Sequence, residues 1–372
     1  MQKEIMIRGS AAEAVCFANY LDQSAKNDLK KICDSELMKD RHIRVMPDVH
    51  SNGDGTVTGF TMGFKEPVIL KLEYGSGCGV ACARLDLTAG RASVDMQKLD
   101  DLCHEIPAST GDMYLEPAYE YDFTDLKCYA DLREFFEWPV CLGVLGGGNH
   151  FIELDLDAED HLYLLVHNGL GQLSGPVVHH YYQKILRTTG KKRKELDMEE
   201  TCLYGKERED YLSDMKVMED VCRVNRRYII NTILQGMGWE CDDYLDICHH
   251  YSDEEDGIVR HGAISAHKGK KVIIPVSSGS GCILGTGKGN PDWNYSAPHG
   301  GGRRCSRTVA KQELSMDDYR RSMQDVYSTT VSEGNLDEAP AAYKPMNEII
   351  ETIKDTVDID RIIRPVYSYK GM

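Results

Sequence analysis

No apolar run in the 372-residue chain approaches the ~18 residues of a membrane-spanning helix, so a helical membrane protein is excluded. The opening residues, Met1-Gln2-Lys3-Glu4-Ile5, lack the apolar centre of a secretory signal, and a cytoplasmic location is the expectation. Cations are in deficit: 43 Lys and Arg stand against 60 Asp and Glu, a net charge of −17. That balance argues against a generic nucleic-acid binder, and any polyanion must meet a local basic patch. The 13 cysteines are odd in number and scattered from Cys16 to Cys305, without the dense spacing of a disulfide scaffold, so reduced interior thiols are expected. No repeat period emerges and no Pro/Gly/Ser-rich linker divides the chain, which predicts one domain over residues 1–372.

What is present is an ordinary globular composition, 41% hydrophobic and 28% charged, with a few unusual loops. The most unusual is Pro298-His299-Gly300-Gly301-Gly302-Arg303-Arg304-Cys305-Ser306-Arg307. Glycines let backbone N–H groups approach an anion, arginine forks bind phosphate oxygens, and His299 is the one side chain there able to carry a proton or act as a nucleophile. A solvated surface turn is the competing reading.

Taken in order, Ala11–Leu21 and Ala25–Ile32 carry apolar residues at helical spacing. Met46-Pro47-Asp48-Val49-His50 leads into a polar, glycine-rich loop, where Asp48 and His50 are either a catalytic pair or turn formers. Cys78, fenced by Gly77 and Gly79 after an apolar run at 67–70, is a candidate metal ligand or nucleophile. Gly146-Gly147-Gly148-Asn149-His150 precedes a strand-like segment, 151–156, so it is not a dinucleotide fingerprint. A second strand, 162–166, ends in His167-Asn168-Gly169, and two glycine-flanked histidines at strand ends together with Cys78 point to a site. Apolar spacing predicts a long amphipathic helix from Glu209 to about Gly236, with Asn225 and Arg226 on or near its buried face, holding neighbouring backbone or reaching a phosphate. In Cys248-His249-His250, strand alternation turns one histidine inward. Strands are expected at 258–265 and 271–277. Because candidate residues come from positions 78 to 299, the whole chain must fold around one centre, and a single α+β domain with mixed, largely antiparallel sheets and peripheral helices is predicted.

The order of these motifs resembles the RtcB family of GTP-dependent RNA ligases. The matching pieces run from Met46-Pro47-Asp48-Val49-His50 through Gly77-Cys78-Gly79, Gly148-Asn149-His150-Phe151-Ile152-Glu153, His167-Asn168-Gly169, Asn225-Arg226 and Cys248-His249-His250. They continue through Gly287-Lys288-Gly289-Asn290-Pro291, His299-Gly300-Gly301-Gly302-Arg303, Asp337-Glu338-Ala339-Pro340 with Tyr343-Lys344, and Tyr369-Lys370-Gly371. The resemblance implies a covalent histidine–GMP intermediate on His299, with Asp48 orienting it and Arg303 as a further catalytic residue. It implies one or two Mn²⁺ ions on Cys78, His150, His167 and His250, and GTP contacts from Asn149, Glu153, Tyr343, Lys370, Ser277, Gly300 and Gly302. Implied partners are RNA with a 3′-phosphate or 2′,3′-cyclic phosphate, RNA with a 5′-hydroxyl, and archease as an activator.

The chain also departs from the family pattern. Gly75 stands where an aspartate ligand is usual, Asn168 to Gln172 replace a run containing arginine, Tyr251 replaces an asparagine and His261 a lysine. Guanylyl transfer without ligation, a non-catalytic RNA-binding paralogue and a cyclic-phosphate esterase therefore stand beside ligation as readings.

Overall fold

The computed structural model describes residues 4–73, 77–87, 93–107, 121–136 and 142–371, so Gly75 lies outside the described residues. Two large sheets position everything else. In spatial order the first holds Ile5–Arg8, Glu13–Cys16, Ile43–Ser51, Val57–Gly63, Ile258–His261 and His250–Asp253. The second holds Cys241–Cys248, Gly79–Leu85, Leu162–Asn168, Phe151–Leu156, Val357–Lys370, Gly281–Gly287 and Lys271–Ser277. Among the described residues the ladders are antiparallel except that of Glu13–Cys16 with Ile43–Ser51. With helices packed outside the sheets, this is the α+β arrangement expected from the sequence.

The seven-stranded sheet curls until its edge strands, Cys241–Cys248 and Lys271–Ser277, approach one another. Strand alternation sorts its side chains. Val80, Cys82, Phe151, Tyr163, Leu165 and Ile363 fill the inside of the curl. Ala81, Ala83, Ile152, Leu154, Leu164 and Val166 face outward onto Ile229, Ile230 and Ile233 of the helix Gly205–Met237. With both faces covered, Leu162–Asn168 is buried along its whole length.

The long helix was legible from its spacing and stops at Gly238, whose φ of 72° gives the left-handed cap glycine favours. Its buried polar residues tie loops to the sheet. Asn225 accepts from the N–H groups of Gly143 (2.7 Å) and Val144 (3.2 Å) and donates to Asn168 Oδ1 at 2.7 Å. Arg226 forks onto Asp246 at 2.9 and 2.7 Å and donates to the carbonyls of Gly77 and Asn168 at 2.9 and 2.8 Å. Both therefore hold backbone, the first of the two roles the sequence allowed.

Two local expectations differ from the fold. Residues 11–21 are not helical: Ala14, Val15 and Cys16 are buried in succession inside the strand Glu13–Cys16, while the helix is Gln23–Asp34. The apolar spacing there is shared by a two-sided buried strand and a helix face, and pairing with Ile43–Val45 decides between them. The strand expected at 258–265 is broken at Gly262, φ 70°, into Ile258–His261 and Ala263–Ser265. Among the described residues no helix is long and apolar enough to cross a membrane.

Candidate active site

Strands of both sheets end at one cleft of about 1010 Å³, at the upper end of the roughly 300–1,000 Å³ range of small-molecule and cofactor sites. It is lined by Cys78, Asn149, Glu153, His167, His249, His250, Ser277, His299, Gly300, Gly302, Arg303, Tyr343 and Lys370, together with His50 and His261.

At its centre Asp48 is fully buried, and its Oδ2 accepts from His299 Nδ1–H at 2.6 Å and from the His299 backbone N–H at 3.1 Å. That bond commits Nδ1 as the donor, so the lone pair lies on Nε2, on the far side of a ring that is 17% exposed. The close approach needs glycine at 302: a Cβ there would sit 2.4 Å from the Asp48 carbonyl oxygen, and φ is already +67°.

Beside this pair lies a thiol and imidazole cluster. Cys78 Sγ is 3.3 Å from His167 Nε2 and 3.7 Å from His150 Nε2. Ligand atoms of Cys78, His167 and His249 all fall within 4.8 Å of one another. His167 Nδ1 faces the Asn149 carbonyl at 3.1 Å, which turns Nε2 toward the thiol. Gly169 permits this packing, because a Cβ there would lie 2.7 Å from that of Cys78. His250, expected among the ligands, sits on the far side of His249 with its ring edge-on to His261 at 4.7 Å, and its Nδ1 is buried without a partner. His249 carried no assignment in the sequence, although the doublet signalled that one of the two turns inward.

Burial keeps these groups uncharged. Desolvation pulls His50, His150 and His261 down to about 4, and His167, His249 and His250 well below the ordinary imidazole value, with Lys370 and Arg226 adding to the effect at His150 and neighbouring imidazoles at the others. Burial pushes the Cys78 thiol up to about 12, against the pull of Arg226. Neutral imidazole nitrogens with a thiol that gives up its proton on binding, and a buried unpartnered His150 Nδ1, fit a first-row transition metal. Replacing Cys78 with alanine is expected to weaken metal binding by at least about 100-fold, since even outer groups around a metal are worth 10–100-fold. Metal content of the purified variant equal to that of the parent protein would disprove the assignment.

The same shifts set a pH dependence. A histidine held near 4 in the folded chain and near 6.5 when unfolded binds its proton first in the unfolded state, so stability is lost as pH falls from about 6.5 toward 4, by up to ~1.4 kcal/mol per unit per group. The metal-free protein should melt at progressively lower temperature across that window, and His50→Gln should flatten the slope. An unchanged slope in the variant would exclude His50 as a source.

The other end of the cleft is organised by Glu338, a residue with no role assigned from sequence. Its carboxylate accepts from Tyr343 (2.5 Å), Lys370 (3.2 Å) and Arg303 (3.2 Å), and also from Arg307. Burial opposes its ionisation, yet Lys370, Arg307 and the Tyr343 hydroxyl together hold it below the usual carboxylate range. Arg303 additionally donates to the Asp337 carbonyl at 2.6 Å. Glu153 accepts from Ser368 at 3.0 Å, and burial lifts it to about 7, partly offset by Lys370. Ser277 shares a 2.6 Å bond with Ser280 on the wall nearby. The cleft thus brings a carboxylate-bound imidazole, a cluster of thiol and imidazole donors and a wall of arginine and lysine side chains tied to Glu338 to one place.

A family model described as tRNA-splicing ligase RtcB matches residues 130–371. RNA-splicing ligase RtcB1 of an Escherichia coli strain is 28% identical over 376 residues, covering 89% of this chain and 90% of that protein. RNA-splicing ligase RtcB of E. coli K12 gives the same identity and coverage. The tRNA-splicing ligase RtcB of Nanoarchaeum equitans is 27% identical over 291 residues, 62% of this chain and 60% of its own length. The family match takes in the glycine loop at His299, five of the six histidines that line the cleft, His150 beside them and the strand that ends at Lys370, and on that extent the chain belongs to the RtcB family.

Proposed function

We propose that the chain is an RNA ligase that joins a 3′-phosphate or 2′,3′-cyclic phosphate end to a 5′-hydroxyl end through GMP carried on His299. The observation that supports this most is the 2.6 Å bond from His299 Nδ1–H to Asp48, which leaves Nε2 as an in-place nucleophile. Nε2 attacks the α-phosphorus of GTP; the P–N bond forms as the bond to the bridging oxygen breaks and pyrophosphate leaves. GMP then passes to the RNA 3′-phosphate, freeing His299, and the 5′-hydroxyl of the second RNA attacks that activated phosphorus, forming the phosphodiester and releasing GMP. A cyclic phosphate end is first opened by water.

Within this reading Asp48 holds the His299 proton, Arg303 buttresses the phosphate wall, and Glu153 accepts from guanine N–H groups. Asn149, Ser277, Gly300, Gly302, Tyr343 and Lys370 complete the GTP site. One or two Mn²⁺ ions belong on Cys78, His150 and His167, with His249 nearest that cluster and His250 beside it; bound there, the metal supplies charge neutralisation at phosphate. The protein acts as one domain over residues 1–372, in the cytoplasm, with archease as the activator the resemblance implies.

The deciding experiment incubates the protein with α-labelled GTP and Mn²⁺, then adds RNA bearing a 3′-phosphate or cyclic phosphate and a 5′-hydroxyl partner. Acid-labile label on the protein followed by a joined RNA is expected. Label that moves to the RNA end without joining would reduce the activity to guanylyl transfer, and no label with any nucleotide or metal would end the proposal.

A further inference from the structure

The segment that delivers Tyr343 to the cleft also sends a lysine beneath the nucleophile. Lys344 is 7% exposed, and its Nζ donates to the carbonyl of Pro47 at 2.5 Å and reaches that of Val49 at 3.4 Å. These two carbonyls flank Asp48. The backbone closes the clamp: Lys344 N–H donates to the Gly302 carbonyl at 3.0 Å, Arg304 N–H donates to that of Ala342 at 2.8 Å, and Arg303 and Tyr343 form a bridge. Asp48 is therefore held from one side by the loop that carries His299 and from the other by the Lys344 ammonium.

Among the described residues no carboxylate lies within ion-pair distance of Lys344 Nζ. Burial lowers its pKa, and the nearest opposing influence is the charge of Asp48. An unpaired buried ammonium is a costly way to satisfy two carbonyls, which neutral donors could serve as well. What only a cation adds is a positive charge near the carboxylate that accepts the hydrogen bond from His299 Nδ1–H.

We propose that Lys344 is a positioning residue for the nucleophile: by fixing Pro47 and Val49 it holds Asp48 where Oδ2 orients His299, with Nε2 toward the cleft. It touches neither nucleotide nor metal. The inference rests on the guanylyl-transfer reading of His299, and its test separates the two.

Lys344→Met should bind GTP within about 2-fold of the parent protein yet form the protein–GMP adduct roughly 10–100-fold more slowly in single turnover, the range of a lost orienting interaction. Lys344→Gln, which keeps a donor, should fall between them and stands in if the methionine variant does not fold. In the Asp48→Asn background the lysine substitution should cost nothing further, because both act through one bond. An additional slowing of the double variant equal to that of the single, or a loss of GTP affinity with an unchanged rate, would overturn the proposal. A second readout needs no GTP: the His299 Nδ1–H resonance, shifted downfield by its bond to Asp48, should move or vanish in Lys344→Met. Its persistence unchanged would also refute the role. If the parent protein forms no adduct, the guanylyl-transfer reading falls and the resonance still decides Lys344.

Discussion

His299→Ala is expected to leave no GMP on the protein and no joined RNA, a loss limited only by detection. The size of the effect follows from the proposed chemistry: a covalent carrier has no substitute, and among the described residues none of the other imidazoles lining the cleft makes a hydrogen bond to a carboxylate that would leave its other nitrogen free to attack. Asp48→Asn should be the graded counterpart. Asparagine fits the same buried space but can present an N–H to Nδ1, favouring the wrong tautomer, and a catalytic carboxylate–imidazole pair loses roughly 10⁴-fold on that change. Adduct formation by His299→Ala at more than background would move the nucleophile elsewhere, with His249, whose ring centroid is 4.7 Å away, as the next residue to test.

The largest effect on stability is expected at Arg226. It is fully buried, forks onto Asp246, and also holds the carbonyls of Gly77 and Asn168, the residues beside Cys78 and His167. Arg226→Met keeps volume but strands Asp246 and two carbonyls in the interior, and breaking one side of a buried pair costs about 3–5 kcal/mol. Denaturant unfolding should show that loss, and the folded fraction should bind metal less tightly because both ligand loops are released. If Arg226→Met unfolds within about 1 kcal/mol of the parent, the pair is not structural in the sense argued.

Much of this was legible in the chain. The strands Phe151–Leu156 and Lys271–Ser277 and the long helix were read from alternation and spacing, because one face of each meets a continuous apolar layer. Cys78, His150, His167 and His299 stood out because glycines lie beside them, and Asp48 because it leads with His50 into a polar, glycine-rich loop; all five reach one cleft or its wall. The histidine doublet was harder for a physical reason. The chain leaves one sheet at Cys248 and enters the other at His250, and at His249 its N–H bonds the Cys78 carbonyl while its own carbonyl takes Gly262 and Ala263. Alternation does not carry through such a junction, so parity along the strand could not say which ring turns inward. Glu338 and Lys344 were invisible as actors because, Tyr343 apart, the side-chain partners of Glu338 lie 31 to 35 positions away and those of Lys344 295 and 297, with no local pattern to mark them.

One feature of the sheet bears on how the molecule is made. The strand Val357–Lys370 is interior, bonded to Phe151–Leu156 on one side and to Gly281–Gly287 on the other. Its first partner is synthesised roughly two hundred residues earlier, and pairings of such sequence separation close slowly. Until that strand arrives, the edge of Phe151–Leu156 beside Asn149 and His150 stands open, and Lys370 and its contact with Glu338 do not exist. A nascent chain paused before residue 357 therefore presents an unpaired, apolar β-edge next to its cluster of thiol and imidazole side chains, a natural point for chaperone capture or aggregation.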